Sequence, residues 1–382
     1  MDILRDRCAG LDLHKKTVVA CIRSVAADGR VTEQARTFAT ATADLLGLAD
    51  WLAESGVRHV AMESTGVYWK PVWNLLEGRF ELMLVNARHI KRVPGRKTDV
   101  KDAQWIAQLL QHGLLTPSLV PPRPVRELRD LTRQRAQLVA DKAAVANRIH
   151  KTLEDANIKL SGVATDILGV SGRAMIARLI GGESDPARLA EEARGSLKKK
   201  VIPLRRALEG RVTEHHRFLL GALMDQIRRL EGLIGRYAAR IEEAMRPFAE
   251  AEARLMTIPG VGRQSAEVIV AEVGPDVAKF PTAGHLASWA GMCPGNDESG
   301  GKRRSGRTTK GSRWLRAALV QVAWAAVHAK GTVFGAAYRR WSKRMGKKKA
   351  LIAAGHKVLV VAYRLLKDAT DYQERYRPAQ AA

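Results

Sequence analysis

Cysteine is scarce in this chain. Its 382 residues include three, Cys8, Cys21 and Cys293, too widely separated for a metal-ligand spacing or a disulfide framework. This excludes a cysteine-based zinc site and a disulfide-stapled scaffold, and it suits a reducing cytoplasm. Long apolar runs are missing as well. No stretch approaches the ~18 uninterrupted apolar residues of a membrane span. Residues 1–7, Met1-Asp2-Ile3-Leu4-Arg5-Asp6-Arg7, lack the apolar core of a signal peptide. Acids are the third shortage: 39 Asp and Glu face 64 Lys and Arg, leaving a net charge of +25. A polyanion partner explains that imbalance, because Lys and Arg contacts to phosphates release condensed counterions. No basic amphipathic anchor stands out, so nucleic acid is expected as partner and a membrane is not. The length and a 46% apolar content predict a globular protein of two or three domains with real cores.

The first domain is expected over residues 1–118. Its centre is Ala9-Gly10-Leu11-Asp12-Leu13-His14-Lys15, read as a buried strand. Leu11 and Leu13 point to one face and Asp12 to the other, and Gly10 admits close approach of a backbone or ligand. An acid among apolar neighbours is costly unless its charge is compensated, which a divalent cation would do. Alone, Asp12 serves equally well as a strand-end acid capping the next turn. Strands follow at 17–23, 31–40, 59–63 and 81–86, with helices at 41–54, 66–76 and 98–112. Three strands, helix, strand, helix, strand, helix is a ribonuclease H-like order. It makes the first and fourth strands neighbours and sets Asp12 beside Glu63. Asp99 and Asp102, three apart, share a helix face. By themselves they read as capping and first-turn acids. With Asp12 and Glu63 they form a four-carboxylate set of hard oxygen donors for two Mg²⁺ ions that act on a phosphodiester. The basic run just ahead, with Arg88, Lys91, Arg92, Arg96 and Lys97, reads as a backbone clamp.

Pro121-Pro122-Arg123-Pro124 marks a boundary. Residues 119–250 are expected to form a helical arm. Apolar spacings of three and four predict one long helix over 125–156 and a second over 204–244. The two pair as an antiparallel coiled coil, with an insert of short helices at 161–200. His215 and His216 are expected at the surface.

The last domain, 251–382, is expected to be mainly helical. Thr257-Ile258-Pro259-Gly260-Val261-Gly262-Arg263 resembles a helix-hairpin-helix turn that grips phosphate through freed backbone N–H groups. Gly260, Gly262 and Arg263 are its candidate contacts. A Gly-rich loop follows with Ser299, then Lys302, Arg303, Arg304, Arg307, Lys310 and Arg313, a stretch suited to wrapping phosphates. From chemistry alone, a nucleophilic role for Ser299 is a weak inference. Trp314, Leu315, Leu319 and Trp324 are expected to be buried in the helices that follow.

These motifs together resemble the DEDD transposases of the insertion-sequence-110 (Piv-like) family. The resemblance is carried by Gly10-Leu11-Asp12-Leu13-His14-Lys15, Met62-Glu63-Ser64-Thr65-Gly66 and Lys97-Thr98-Asp99-Val100-Lys101-Asp102-Ala103. It continues through Thr257-Ile258-Pro259-Gly260-Val261-Gly262 and through Ala290-Gly291-Met292-Cys293-Pro294 with Ser299-Gly300-Gly301-Lys302. It implies a RuvC-like α/β domain whose four acids are Asp12, Glu63, Asp99 and Asp102. It further implies a C-terminal domain whose Ser299, or less favourably Ser305, bonds to a DNA 5′-phosphate. Also implied are double-stranded DNA and a non-coding guide RNA as partners, a dimer pairing into a tetramer, and a cytoplasmic, nucleoid-associated bacterial enzyme. Acids of one subunit would serve the serine of another. Two rivals remain at this stage. A junction-resolving nuclease would need the acids and not Ser299, and a non-catalytic nucleic-acid scaffold would need neither.

Overall fold

The computed structural model describes residues 3–86, 102–294, 308 and 310–374, together with the backbone of 297–299 and 302–305. The chain divides into two compact units, Met1–Pro121 and Pro122–Ala382, so the boundary falls within the proline cluster. The arm and the last domain share the second unit.

The first unit holds one mixed sheet in the order β3-β2-β1-β4-β5. Its strands are β1 Arg7–Leu13, β2 Thr17–Val25, β3 Val31–Ala39, β4 His59–Glu63 and β5 Glu81–Val85. β1 runs antiparallel to β2 and parallel to β4, and β4 runs parallel to β5. This is the ribonuclease H-like arrangement expected from the sequence. Side-chain alternation divides the strands between two cores. Leu11, Leu13, Val60 and Met62 pack under α1 (Thr42–Glu54) and α2 (Trp69–Leu76). Cys8, Ala61 and Val85 face α3 (Asp102–Gln111), which contributes Trp105, Ile106, Leu109 and Leu110. Burial pushes the thiols of Cys8 and Cys21 up to about 11. They behave as small core hydrophobes.

The second unit is helical. α4 (Arg123–Asp155) runs antiparallel to α8 (Glu214–Met245). Asp155 meets His216 at 2.9 Å, while Lys142 meets Glu231 at 2.7 Å. Between them lie α5 (Val170–Ile180), α6 (Pro186–Ala190) and α7 (Val201–Ala207). These seal a core of Val145, Ile149, Leu153, Met175, Leu179, Leu204, Leu220 and Ile227.

The helix expected over 204–244 is in fact two. Gly210 sits so close to Ala156 that a Cβ there would lie 2.5 Å from its carbonyl oxygen. The Arg211 N–H donates to that same oxygen at 2.8 Å. Thr213 then starts α8 through a capping box with His216. His216 is therefore not a surface residue. It is buried, its Nδ1 accepts from the Thr213 N–H at 3.1 Å, and its Nε2 faces Asp155.

The remainder comprises α9 (Ala249–Met256), α10 (Arg263–Val273), α11 (Ala283–Trp289), α12 (Arg313–His328), α13 (Val333–Met345) and α14 (Lys347–Asp368), with strands β6 (Asp297–Ser299) and β7 (Lys302–Ser305). Leu315 and Leu319 are buried as expected, but Trp324 is 59% exposed. It lies on the outer side of α12 with its ring 4.3 Å from that of His328. Among the described residues no single helix is long and apolar enough to cross a membrane.

Candidate active site and nucleic-acid interface

The parallel pairing of β1 with β4 runs from Cys8↔His59 to Leu11↔Met62. Asp12 and Glu63 hold the next position on the two strands. Both belong to the face covered by α3. Asp12 is paired with Val19, which packs against Ala103 and Ala107, and Glu63 is paired with Val85, which packs against Trp105 and Ile106. Gly10 lets the helix come down onto this face. A Cβ at position 10 would lie 2.3 Å from the Ala103 carbonyl oxygen and 2.4 Å from the Ala107 nitrogen. Asp102 opens α3 one residue before that contact. The Asp12 side chain is 16% exposed, and its Oδ2 lies 3.1 Å from His14 Nε2. Glu63 Oε1 accepts from the Thr65 hydroxyl at 3.2 Å.

The register thus brings Asp12 and Glu63 together, with Asp102 at the start of the helix over the same face. Asp99 lies outside the described residues, as do Arg88, Lys91, Arg92, Arg96 and Lys97. Among the described residues, no group of three carboxylate, imidazole or thiol side chains is gathered closely enough to hold a metal ion. The donor chemistry of the Asp12–Glu63 pair nonetheless fits a hard divalent cation. Thr65 belongs to a stretch, 64–70, whose hydroxyl donors suit a nucleic-acid track beside the acids, whereas His14 is a neighbour that the sequence analysis missed. A histidine two positions after a strand acid shares its face, so His14 could have been found from spacing.

In the second unit, Ser299 ends β6 and pairs with Lys302 of β7, so paired strands stand where a loop was expected. Lys302, Arg303 and Arg304 lie on β7, and Arg307 is outside the described residues. A bridge between Pro294 and Thr308 closes the hairpin base. That base is pinned on both sides. Gly311 abuts the end of α11, where a Cβ would lie 2.3 Å from the Ala290 carbonyl carbon. Ser312 caps α12 and donates to Glu272 at 2.8 Å. Glu272, 1% exposed as a side chain, also takes a bidentate pair from Arg133 at 2.6 and 2.8 Å. Arg135 and Glu267 form a second buried pair at 2.6 Å. Burial raises the pKa of Glu267, against the lowering effect of Arg135.

The α9–α10 turn contains Gly260 at φ +86°. Its Cα face rests on α12, where a Cβ would lie 2.6 Å from the Ala326 nitrogen. Gly262 precedes α10 with no Cβ contact within 4 Å. Arg263 is engaged within the protein, 3.1 Å from Glu242 and 3.4 Å from Glu252. Lys310 is exposed, and the Arg313 guanidinium lies over the Trp314 ring at 4.4 Å.

Comparison with known proteins fits this arrangement. Residues 9–158 match a transposase family of the DEDD IS110 type, and residues 252–339 match the transposase IS116/IS110/IS902 family. The chain belongs to the IS110 family of transposases. A probable family 20 transposase of Pseudomonas aeruginosa is 26% identical over 272 residues, 70% of this chain and 71% of that protein. The pilin gene-inverting protein of Moraxella bovis is 29% identical over 124 residues, 32% of this chain and 38% of that protein. An uncharacterized 43.6 kDa protein of insertion element IS110 in Streptomyces coelicolor is 32% identical over 122 residues, 32% of this chain and 30% of that protein. This IS110-family chain is accordingly a DNA transposase or recombinase. The DEDD match carries an expectation of divalent-metal dependence.

Proposed function

We propose that this transposase is a site-specific recombinase that cuts and rejoins DNA through a covalent phosphoserine, guided by a non-coding RNA. The adjacent register of Asp12 and Glu63 on the face covered by α3 carries the reading. In it Asp12, Glu63, Asp99 and Asp102 hold Mg²⁺, which when bound would neutralise charge on the scissile phosphate. The Ser299 hydroxyl forms a bond to phosphorus as the bond to the 3′ oxygen breaks. The serine proton is lost and the leaving 3′ oxygen gains one, giving a 5′-phosphoserine and a free 3′-hydroxyl. Attack by another 3′-hydroxyl reverses the step. One phosphodiester is exchanged for another, so no nucleotide cofactor is required.

Two further observations support rejoining over hydrolysis. One relative is named for inverting a gene, an outcome that needs religation. The serine also sits on a hairpin with a pinned base, which suits a group that must hold a strand. The helix-hairpin-helix role of Gly260 and Gly262 and the coiled-coil pairing of α4 with α8 belong to the same proposal, as do the dimer and tetramer. Ser299→Ala should abolish protein–DNA adducts that survive denaturing electrophoresis, and Asp12→Ala should abolish metal-dependent strand cleavage. Adducts that persist in Ser299→Ala would defeat the serine assignment.

A further inference from the structure

A cavity of about 710 Å³ opens at the base of the serine hairpin. Pro294 and Thr308, the two residues that close the hairpin, form part of its wall. Met292, Met345 and Ile352 give it apolar sides. Arg316 of α12 and Lys348 and Lys349 of α14 line it with positive charge, and no carboxylate among the described residues does. None of these three cations makes an ion pair or side-chain hydrogen bond among the described residues. Burial lowers the pKa of His356, which also lines the cavity, so its imidazole is neutral at neutral pH and can both donate and accept.

The charge distribution is costly as it stands. Lys347, Lys348 and Lys349 occupy the first turn of α14, which has neither a first-turn acid nor a side-chain cap. Cations are disfavoured at the positive end of a helix dipole. An anion brought to the cavity mouth would relieve that repulsion. A free phosphate, however, would leave the apolar walls unused. The volume is that of a site for a larger organic ligand, and thioether side chains adapt well to flat polarizable surfaces. An apolar slot beside several cations is complementary to a nucleotide.

We propose that the cavity receives one unpaired nucleotide of the bound nucleic acid. Its base lies against Met292, Met345 and Ile352, and its phosphate meets Arg316, Lys348 and Lys349. Everting a nucleotide costs stacking energy, least where it is already unpaired. Capture here would fix the nucleic acid at the base of the hairpin that carries Ser299. This inference rests on the reading that the hairpin works on DNA.

The test uses the full chain and a DNA duplex with a single bulged 4-thiothymidine. Irradiation should cross-link the bulge to peptides containing Met292 or residues 345–356, as mapped by mass spectrometry. Ile352→Trp, which fills the slot from a half-buried position, should lower the yield about tenfold, the scale of one lost base stack. Lys348→Glu with Lys349→Glu should erase any preference for the bulged over the fully paired duplex. Ala353→Leu is the second filling variant should Ile352→Trp melt early. Cross-links that map elsewhere, or a wild-type yield from a folded filled variant, would overturn the proposal. Serine adducts are scored in the same samples. Adducts without the cross-link would refute the cavity assignment alone. The cross-link without adducts leaves the cavity assignment standing, because on the recombinase reading adducts need a cognate site and guide RNA that this duplex lacks; that reading falls on the Ser299→Ala test alone.

Discussion

Gly10 shows how much a single hydrogen atom can decide. Any side chain there would strike the backbone of α3 at Ala103 and Ala107. Backbone cannot rotate away as a side-chain tip can, so the helix itself would have to move. Gly10→Ala should therefore cost about 3 kcal/mol, the upper part of the range for overpacked cores, read as a fall in the urea midpoint. Because Asp102 begins that helix, strand cleavage should suffer more than the loss of stability explains. A variant with wild-type stability would show that α3 can shift without strain. Much at this scale was legible in the sequence. Strand alternation separated Asp12 from Leu11 and Leu13, and the absence of a Cβ at position 10 forecast a close approach. His216 was not legible. Its burial depends on Thr213 three residues before it and on Asp155 far back in the chain, and helical periodicity reports neither.

Among elements, the Glu272 network ties α4, α10 and the start of α12 together. Arg133 and Ser312 bond the carboxylate, while Arg129 donates to the carbonyls of Ala271 and Glu272 at 2.9 and 2.8 Å. Burial lowers the pKa of Arg129, and Glu272 opposes that effect. Removing one member of a buried ion pair costs about 3–5 kcal/mol. The Arg133 side chain is 36% exposed and can rehydrate, so Glu272→Ala belongs near the lower figure, about 3 kcal/mol. Thermal melting of the variant would measure it. A negligible change would mean the arginines find water without loss. This network could not have been inferred from sequence, because its members lie up to 183 positions apart between Arg129 and Ser312. The break between α7 and α8 was within reach. Gly210 and Thr213 are a stop and a start signal, masked by an apolar stripe that continues across them. Trp324, expected in the core, faces outward for a related reason: the turns of α12 direct Leu315, Leu319, Val322 and Ala323 inward instead.

For the whole molecule, charge is the dominant quantity. A net +25 predicts nucleic-acid binding that weakens steeply with ionic strength. The loss should be about a thousandfold or more between about 50 and about 200 mM salt, the behaviour of a protein with six or more phosphate contacts. Filter binding across that range would measure it, and a nearly flat salt response would mean that the excess cations serve another purpose. The fold class and the order of elements could be read from the chain because period-two and period-3.6 patterns are local, and strand order alone set Asp12 beside Glu63. The descent of α3 onto that face, which brings Asp102 to its edge, depends on tertiary packing and could not.

The bridge at Pro294 limits how far the proposed nucleophile can roam. Ser299 follows it by five residues, and an extended strand advances at most ~3.4 Å per residue. The serine is thus tethered within ~17 Å of a fixed anchor. If the proposed serine reaction holds, partner exchange over longer distances has to come from movement of whole domains or of the DNA, and a flexible linker placed at the anchor should uncouple cleavage from correct rejoining.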